Sequence, residues 1–199
     1  MFPKDQGYFF PAEWHPHLAT WITFPHNDHS WQEEKLGQMY PEYFALIKAI
    51  SDGEQVRINV NSAALQAFVE SQLPVYGIDP AKIEFNVQPT NDAWCRDHGP
   101  AFLVKDGRAE RLVVNWEYNA WGGKYPPFSD DNALPSTIAK RLSLPSATPG
   151  IIMEGGSVDF NGAGTVLTSR SCLLNPNRNP HLNQEEIETY LKNYYGVSQ

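Results

Sequence analysis

The 199 residues, 41% hydrophobic and 13% aromatic, are enough to bury one sizeable core, and no stretch has the composition of a disordered segment. A formal net charge of −8, from 23 acidic against 15 basic residues, argues against a nucleic-acid partner, which needs clustered Lys and Arg, and favours the approach of a small cation. Apolar runs of a few residues (44–47 and 112–114) argue against a membrane-spanning helix; an N-terminus with Asp5 and two prolines is not a secretory signal; two cysteines, Cys95 and Cys172, make no disulfide framework. The expectation is a cytoplasmic globular protein.

In chain order, residues 21–24 predict a buried strand ended by Pro25. Pro41 suits the first residue of a helix running to about Ser51, with Phe44, Ile47 and Ile50 at helical spacing, and Asp52 and Gly53 end it. Val56, Ile58 and Val60 alternate with Arg57 and Asn59, the pattern of a strand exposed on one face. Asn61 or Ser62 caps a helix over 63–73 whose apolar stripe is Leu65, Phe68 and Val69. Ile83, Phe85 and Val87 predict another alternating strand. After the loop 91–100, two strands flank Asp106 and Gly107, a tight-hairpin signal. A helix is expected over 132–142, then the loop MEGG and a second hairpin around Asn161 and Gly162. The last element is a helix with Asn183 and Glu186 in capping-box positions and Gly196 as its C-terminal stop.

Helix, strand, irregular loop and hairpin thus occur twice in succession. Each loop carries an acid just before its hairpin, Asp97 ahead of Ala101 and Glu154 ahead of Ser157. A repeated supersecondary unit predicts a propeller or ring in which equivalent loops converge on one axis. Two such units plus an N-terminal part make an incomplete ring. An ordinary α+β domain with accidental similarity between its parts is the competing reading.

The richest segment chemically is NDAWCRDHGP at 91–100, with two carboxylates, an indole and a cation. A planar guanidinium wants a carboxylate for its paired N–H donors and an aromatic face beside it. The same residues equally suit a structural role, with Asp97 paired to Arg96 and Trp94 in the core. In MEGGS, two glycines after Glu154 allow close backbone approach. Taken locally, an exposed Glu154 at a turn is the simpler reading. Asn119, Ala120, Trp121, Gly122 and Gly123 resemble either a pocket wall or a surface turn. His15 and His17, and His26 and His29, have spacings that a metal site can use but lack Cys partners or a helical pair, so no metal is expected. Cys95 is a nucleophile candidate by composition alone, and Cys172 reads as a small apolar residue.

GYFFPAEW, NDAWCRDHGP, NAWGG, MEGGS and CLLNPNRNP follow one another in this order between Gly7 and Gly196. Together they resemble the agmatine deiminase family, with its Porphyromonas-type peptidylarginine deiminase relatives. The resemblance implies an α/β fold, the five-bladed propeller of the pentein, guanidine-modifying enzymes. Here it is expected to be incomplete: a single deiminase-type domain over 1–199 that stops before the catalytic His and Cys segments. The resemblance also implies the reaction. A cysteine thiolate attacks the guanidinium carbon, ammonia leaves, and water hydrolyses the adduct to a ureido product, with no cofactor. By position, Asp97 matches the family's first guanidinium-binding aspartate and Trp94 the tryptophan beside it. Glu154 matches the glutamate that lies against the catalytic histidine, where a carboxylate orients and charge-stabilises the imidazole. Asp92, Trp121 and Gly123 fall in matching motifs and are expected on the substrate side.

The chain departs from that pattern in three places. The family's Gly-His-x-Asp segment and its C-terminal cysteine have no counterpart among these residues, and Cys95 stands at a variable position of its motif. The nucleophile is therefore not expected in this chain. Where the agmatine-specific branch has Trp-Pro-Glu-Arg, this chain has Phe24, Pro25, His26 and Asn27. Agmatine hydrolysis to N-carbamoylputrescine, in putrescine biosynthesis, is the preferred reading. Arginine or peptidylarginine deimination, a non-catalytic remnant that binds guanidinium cations, and a small enzyme using Cys95 are the alternatives, and a homo-oligomer is left open.

Overall fold

The structure, a computed structural model, describes residues 1–105 and 109–199. The chain divides into two units, one of Pro16–Cys95 and the other of Met1–His15 with Arg96–Gln199.

In the first unit, β1 (Thr20–Thr23), β2 (Val56–Val60) and β3 (Ile83–Val87) form a parallel sheet in that order, with α1 (Glu33–Ser51) and α2 (Ala63–Gln72) as the crossovers. Its apolar face is built as the alternation predicts: Ile22, Val56, Ile58 and Val60 pack with Phe24, Phe44, Ile47, Val69 and Leu73. Each fully buried side chain of this size contributes about 1.5–3 kcal/mol. Of the predicted stripe on α2, Val69 is buried while Phe68 stays 38% exposed. Ser62 is the cap, its Oγ accepting from Leu65 N–H at 3.2 Å.

Two expectations are corrected here. Pro41 lies inside α1, not at its start. Gly37 and Pro41 both disfavour a helix interior, but Leu36 is buried and Tyr40 packs its ring 5.2 Å from Phe24. The apolar stripe therefore continues upstream through 36 and 40, and packing overrides propensity. The opposite face of β2 is not exposed either, since Asn59 is fully buried. Its Nδ2 donates to Thr23 Oγ1 at 3.1 Å, and its Oδ1 accepts from Asn86 Nδ2 at 2.8 Å. A polar ladder across three strands satisfies what burial would otherwise strand.

In the second unit, β4 (Ala101–Lys105) and β5 (Glu110–Val114) pair antiparallel from Ala101↔Val114 to Lys105↔Glu110. The predicted turn at Asp106 and Gly107 lies outside the described residues. β6 (Ser146–Ala147), which follows α5 (Ser129–Arg141), joins β5 in parallel. β7 (Val158–Phe160) and β8 (Val166–Thr168) form the second predicted hairpin, with Gly162 in its turn at φ 69°. After the single turn α6 (Arg170–Leu173), the predicted helix at the end is α7 (Gln184–Tyr195). Asn183 Oδ1 accepts from Glu186 N–H at 3.0 Å, Glu186 Oε2 accepts from Asn183 N–H at 2.8 Å, and Gly196 closes the helix at φ 70°. Its buried Ile187, Leu191 and Tyr195 pack with Leu103, Leu112, Val114 and Met153.

The repeat is present with its phase shifted. The sequence groups a helix with the hairpin after it, whereas the sheet groups hairpin β4 and β5 with β6, the strand after the next helix. One hydrogen bond marks the recurrence. Thr20 N–H to Gln55 C=O precedes the β1–β2 pairing, and Val113 N–H to Pro145 C=O precedes the β5–β6 pairing, both at 2.9 Å. Val166 N–H to Gln199 C=O, also 2.9 Å, is the equivalent bond on β8.

Candidate functional site

Within the second unit, the acids that precede the hairpins come together with the glycines of MEGGS. Asp97, in the single turn α3 (Cys95–His98), accepts the Gly156 N–H at 3.2 Å through Oδ1. An ideal Cβ on Gly156 would lie 2.3 Å from that oxygen, and one on Gly155 would lie 2.2 Å from the Arg96 carbonyl oxygen. The paired glycines are thus a requirement of contact: the two motifs interlock backbone against backbone at Gly155 and backbone against side chain at Gly156. Glu154 is only 3% exposed, which overturns the local reading of an exposed turn residue.

The cause of that burial is a residue the sequence reading quoted without a role. Arg178 donates from Nε to Glu154 Oε1 at 2.5 Å, and the two side chains are 9% and 3% exposed. A buried carboxylate needs a cation, and Arg178 in the run NPNRNP supplies it. Its neighbours are equally engaged. Asn179 bridges Ile152, accepting its N–H at 2.9 Å and donating to its C=O at 2.8 Å. Asn177 C=O accepts from Asn119 Nδ2 at 3.0 Å, and the Asn177 side chain fills the space a Cβ on Gly122 would need. No local signal marks Arg178, because its pairing with Glu154 forms only in the folded chain.

The NAWGG segment is the short turn α4 (Ala120–Gly123), and φ is positive at four consecutive residues, 51° at Ala120, 57° at Trp121, 89° at Gly122 and 75° at Gly123. A non-glycine residue held in the left-handed region costs roughly 1–2 kcal/mol. Asn119 holds it there, its Oδ1 accepting from Gly122 N–H at 2.8 Å and its backbone carbonyl from Gly123 N–H at 2.6 Å. The Trp121 ring sits edge-on between Tyr118 and Tyr125, 5.7 Å from each.

Electrostatically, Asp97 is the perturbed group. Burial pushes its carboxyl above the ordinary value near 3.8, the Gly156 N–H pulls it back, the Glu154 charge pushes it up again, and Arg96 lowers it. It is a carboxylate short of positive charge.

The other predicted residues belong to the first unit. Trp94 is 44% exposed and stacks on Trp31 at 5.5 Å, so it is not a core residue. Asp92 is buried and accepts from Ser30 Oγ at 2.6 Å, Trp31 Nε1 at 3.3 Å and Ala93 N–H at 2.7 Å. These bonds give it a role in ordering the loop that carries Trp31. Cys95 Sγ faces the Trp21 carbonyl oxygen at 3.4 Å. His26 places its ring nitrogens 3.1 Å from Phe24 C=O and 3.0 Å from Thr90 C=O. In the second unit, His98 is buried against Asp131 and the Tyr118 ring. Among the described residues, no group of three or more His, Cys, Asp or Glu is arranged to hold a metal, and no helix is long and apolar enough to cross a membrane.

Two acid-bearing loops thus interlock beside a buried arginine, and comparison with known proteins gives the family. The model of Porphyromonas-type peptidyl-arginine deiminases matches residues 9–199, so the chain belongs to that family. Agmatine deiminase of Pseudomonas syringae pv. tomato is 39% identical over 202 residues, covering 98% of this chain and 52% of its own length. The solved agmatine deiminase of Enterococcus faecalis superposes with a TM-score of 0.86 at 31% identity, covering 99% of this chain and 53% of that one. The C. jejuni agmatine deiminase with substrate bound gives 0.81 at 32% identity, covering 98% and 56%. The fold is that of these deiminases, consistent with the pentein class. The chain spans about half the length of the curated relatives it matches.

Proposed function

We propose that these residues form the substrate-binding half of an amidine hydrolase of the agmatine deiminase type, a cytoplasmic enzyme of putrescine biosynthesis. It converts agmatine and water to N-carbamoylputrescine and ammonia without a cofactor. In this reading the two units are parts of one deiminase domain built as a five-bladed propeller. Asp97 receives the guanidinium through paired N–H donors, and Glu154 orients and charge-stabilises the imidazole of the base; Trp94 is, by its motif, the family's substrate-side tryptophan. Trp121 and Gly123 line the substrate side, and Asp92 orders the aromatic loop. The thiolate nucleophile is not Cys95, which stands at a variable position of its motif.

The observation that carries the reading is Asp97: partly buried, fixed by one N–H, and raised in pKa by burial and by Glu154. A guanidinium relieves that deficit, and a charge-assisted pair of this kind contributes roughly 1.5–3 kcal/mol. Arginine or peptidylarginine as substrate is the second reading, and the observation in its favour is the family model itself.

Calorimetric titration with agmatine, arginine and putrescine tests both. Agmatine is expected to bind, Asp97→Asn to weaken it about 10- to 100-fold, and putrescine, which lacks the guanidinium, to fail. Binding should be lost as pH falls through the Asp97 midpoint, because only the carboxylate holds the cation. A protein of these residues alone is expected to bind agmatine without releasing ammonia. Tighter binding of a peptidyl arginine than of agmatine would establish the second reading, and binding unaffected by Asp97→Asn would remove both.

A further inference from the structure

Arg96 stands beside Asp97 in the chain and has no place in the site as read from the sequence. Its guanidinium donates from Nε to Gly155 C=O at 3.3 Å, from Nη1 to Glu13 Oε1 at 2.5 Å, and from Nη2 to Val158 C=O and Asp159 Oδ1, each at 3.4 Å. The Gly155 carbonyl and the Gly156 N–H belong to one planar peptide unit. In a trans unit C=O and N–H point in opposite directions, and the 155–156 bond is not cis. Arg96 therefore holds the carbonyl end of this plane while Asp97 Oδ1 holds its N–H end at 3.2 Å. Two consecutive side chains grip the two ends of one peptide.

The grip matters because the plane lies between two glycines, where rotation of a peptide is least hindered. A flipped plane would present its carbonyl oxygen to the Asp97 carboxylate, exchanging a hydrogen bond for repulsion between two oxygens. The Arg96 side chain is 52% exposed, and its acidic partners Glu13 and Asp159 are 50% and 76% exposed. Exposed ion pairs add little to stability, so four donated bonds at this position do more for the orientation of the loop than for the fold. The Gly156 N–H and the Arg96 charge are also the two influences that lower the Asp97 pKa against burial and Glu154.

We propose that Arg96 is a positioning residue that locks the 155–156 peptide with its N–H toward Asp97, and so sets the orientation of the carboxylate that receives the guanidinium. The functional half of this rests on the reading of Asp97 given above.

The test uses protein labelled with carbon-13 at aspartate, in which the Asp97 carboxyl is titrated directly, together with amide exchange at Gly156 and agmatine calorimetry. Arg96→Met should raise the Asp97 midpoint, speed exchange at Gly156 and weaken agmatine roughly tenfold. Arg96→Gln, which keeps a donor for the carbonyl without the charge, should fall between. Arg96→Lys keeps the charge without the fork, so its Gly156 exchange should remain fast. The Lys and Gln variants carry the test if Arg96→Met does not fold. Wild-type titration and exchange in the Met and Gln variants, or full rescue by Lys, overturns the proposal. If the unsubstituted protein fails to bind agmatine while Arg96→Met still raises the Asp97 midpoint, the guanidinium reading falls and the action of Arg96 on Asp97 stands.

Discussion

At Gly155 and Gly156 an added methyl would meet two different kinds of neighbour. Neither glycine has a positive φ, so contact alone demands them. A Cβ at 155 would lie 2.2 Å from a backbone carbonyl oxygen, that of Arg96, which cannot swing away. Gly155→Ala should therefore cost about 1–3 kcal/mol as an overpacked contact and lower the melting temperature by roughly 2–4 °C per kcal/mol. A Cβ at 156 would lie 2.3 Å from Asp97 Oδ1, a side-chain atom that can rotate. Gly156→Ala should leave the melting temperature nearer that of the wild type while displacing Asp97 and weakening agmatine about tenfold. Thermal melts and calorimetry on both variants check this, and equal losses of stability and binding in the two would show that their roles are not separate. Asp97 and Glu154 are legible as candidates because an acid before a hairpin is a local pattern. Arg178 is not, because its partner lies 24 residues upstream and only the folded loops bring them together.

At the scale of elements, α7 shows what local chemistry can specify. Both halves of its capping box form, and Gly196 serves it twice, with φ 70° and with a Cβ position that would lie 2.4 Å from Tyr8 C=O. Asn183→Ala removes the acceptor for Glu186 N–H and should cost about 1 kcal/mol, read as a lower urea midpoint with an unchanged slope. An unchanged midpoint would mean that α7 is held by Ile187, Leu191 and Tyr195 alone. The start of α1 shows the opposite case. Gly37 and Pro41 speak against a helix, yet Leu36 and Tyr40 extend the apolar stripe of Phe44 and Ile47, a pairing visible only once Phe24 is in place. Asn59 misleads similarly. Alternation puts it on a solvent face, and only its partners Thr23 and Asn86, on other strands, make its burial tolerable. Elements with their signals in adjacent residues were legible, and those decided by a partner across the sheet were not.

For the molecule as a whole, charge is the property that bears on a small cationic ligand. A formal net charge of −8 on 199 residues is spread over many exposed acids, so it adds little to the contact at Asp97, but it acts on approach. Agmatine carries a guanidinium and an ammonium, and a negative field raises its concentration near the surface before any specific bond forms. Salt shortens the reach of that field, from about 30 Å near 0.01 M to about 10 Å near 0.1 M. The association rate of agmatine should therefore fall several-fold over that range. On the function proposed above, the dissociation rate is governed by a partly buried carboxylate contact and should change much less, because buried pairs are poorly screened. N-carbamoylputrescine, with one positive charge fewer, should show roughly half the slope. Stopped-flow binding across that salt series measures both rates. An association rate flat with salt would place the whole electrostatic contribution in the immediate surroundings of Asp97, Glu154 and Arg178, and a dissociation rate that rose as steeply as the association rate fell would mean that the bound cation sits in open water.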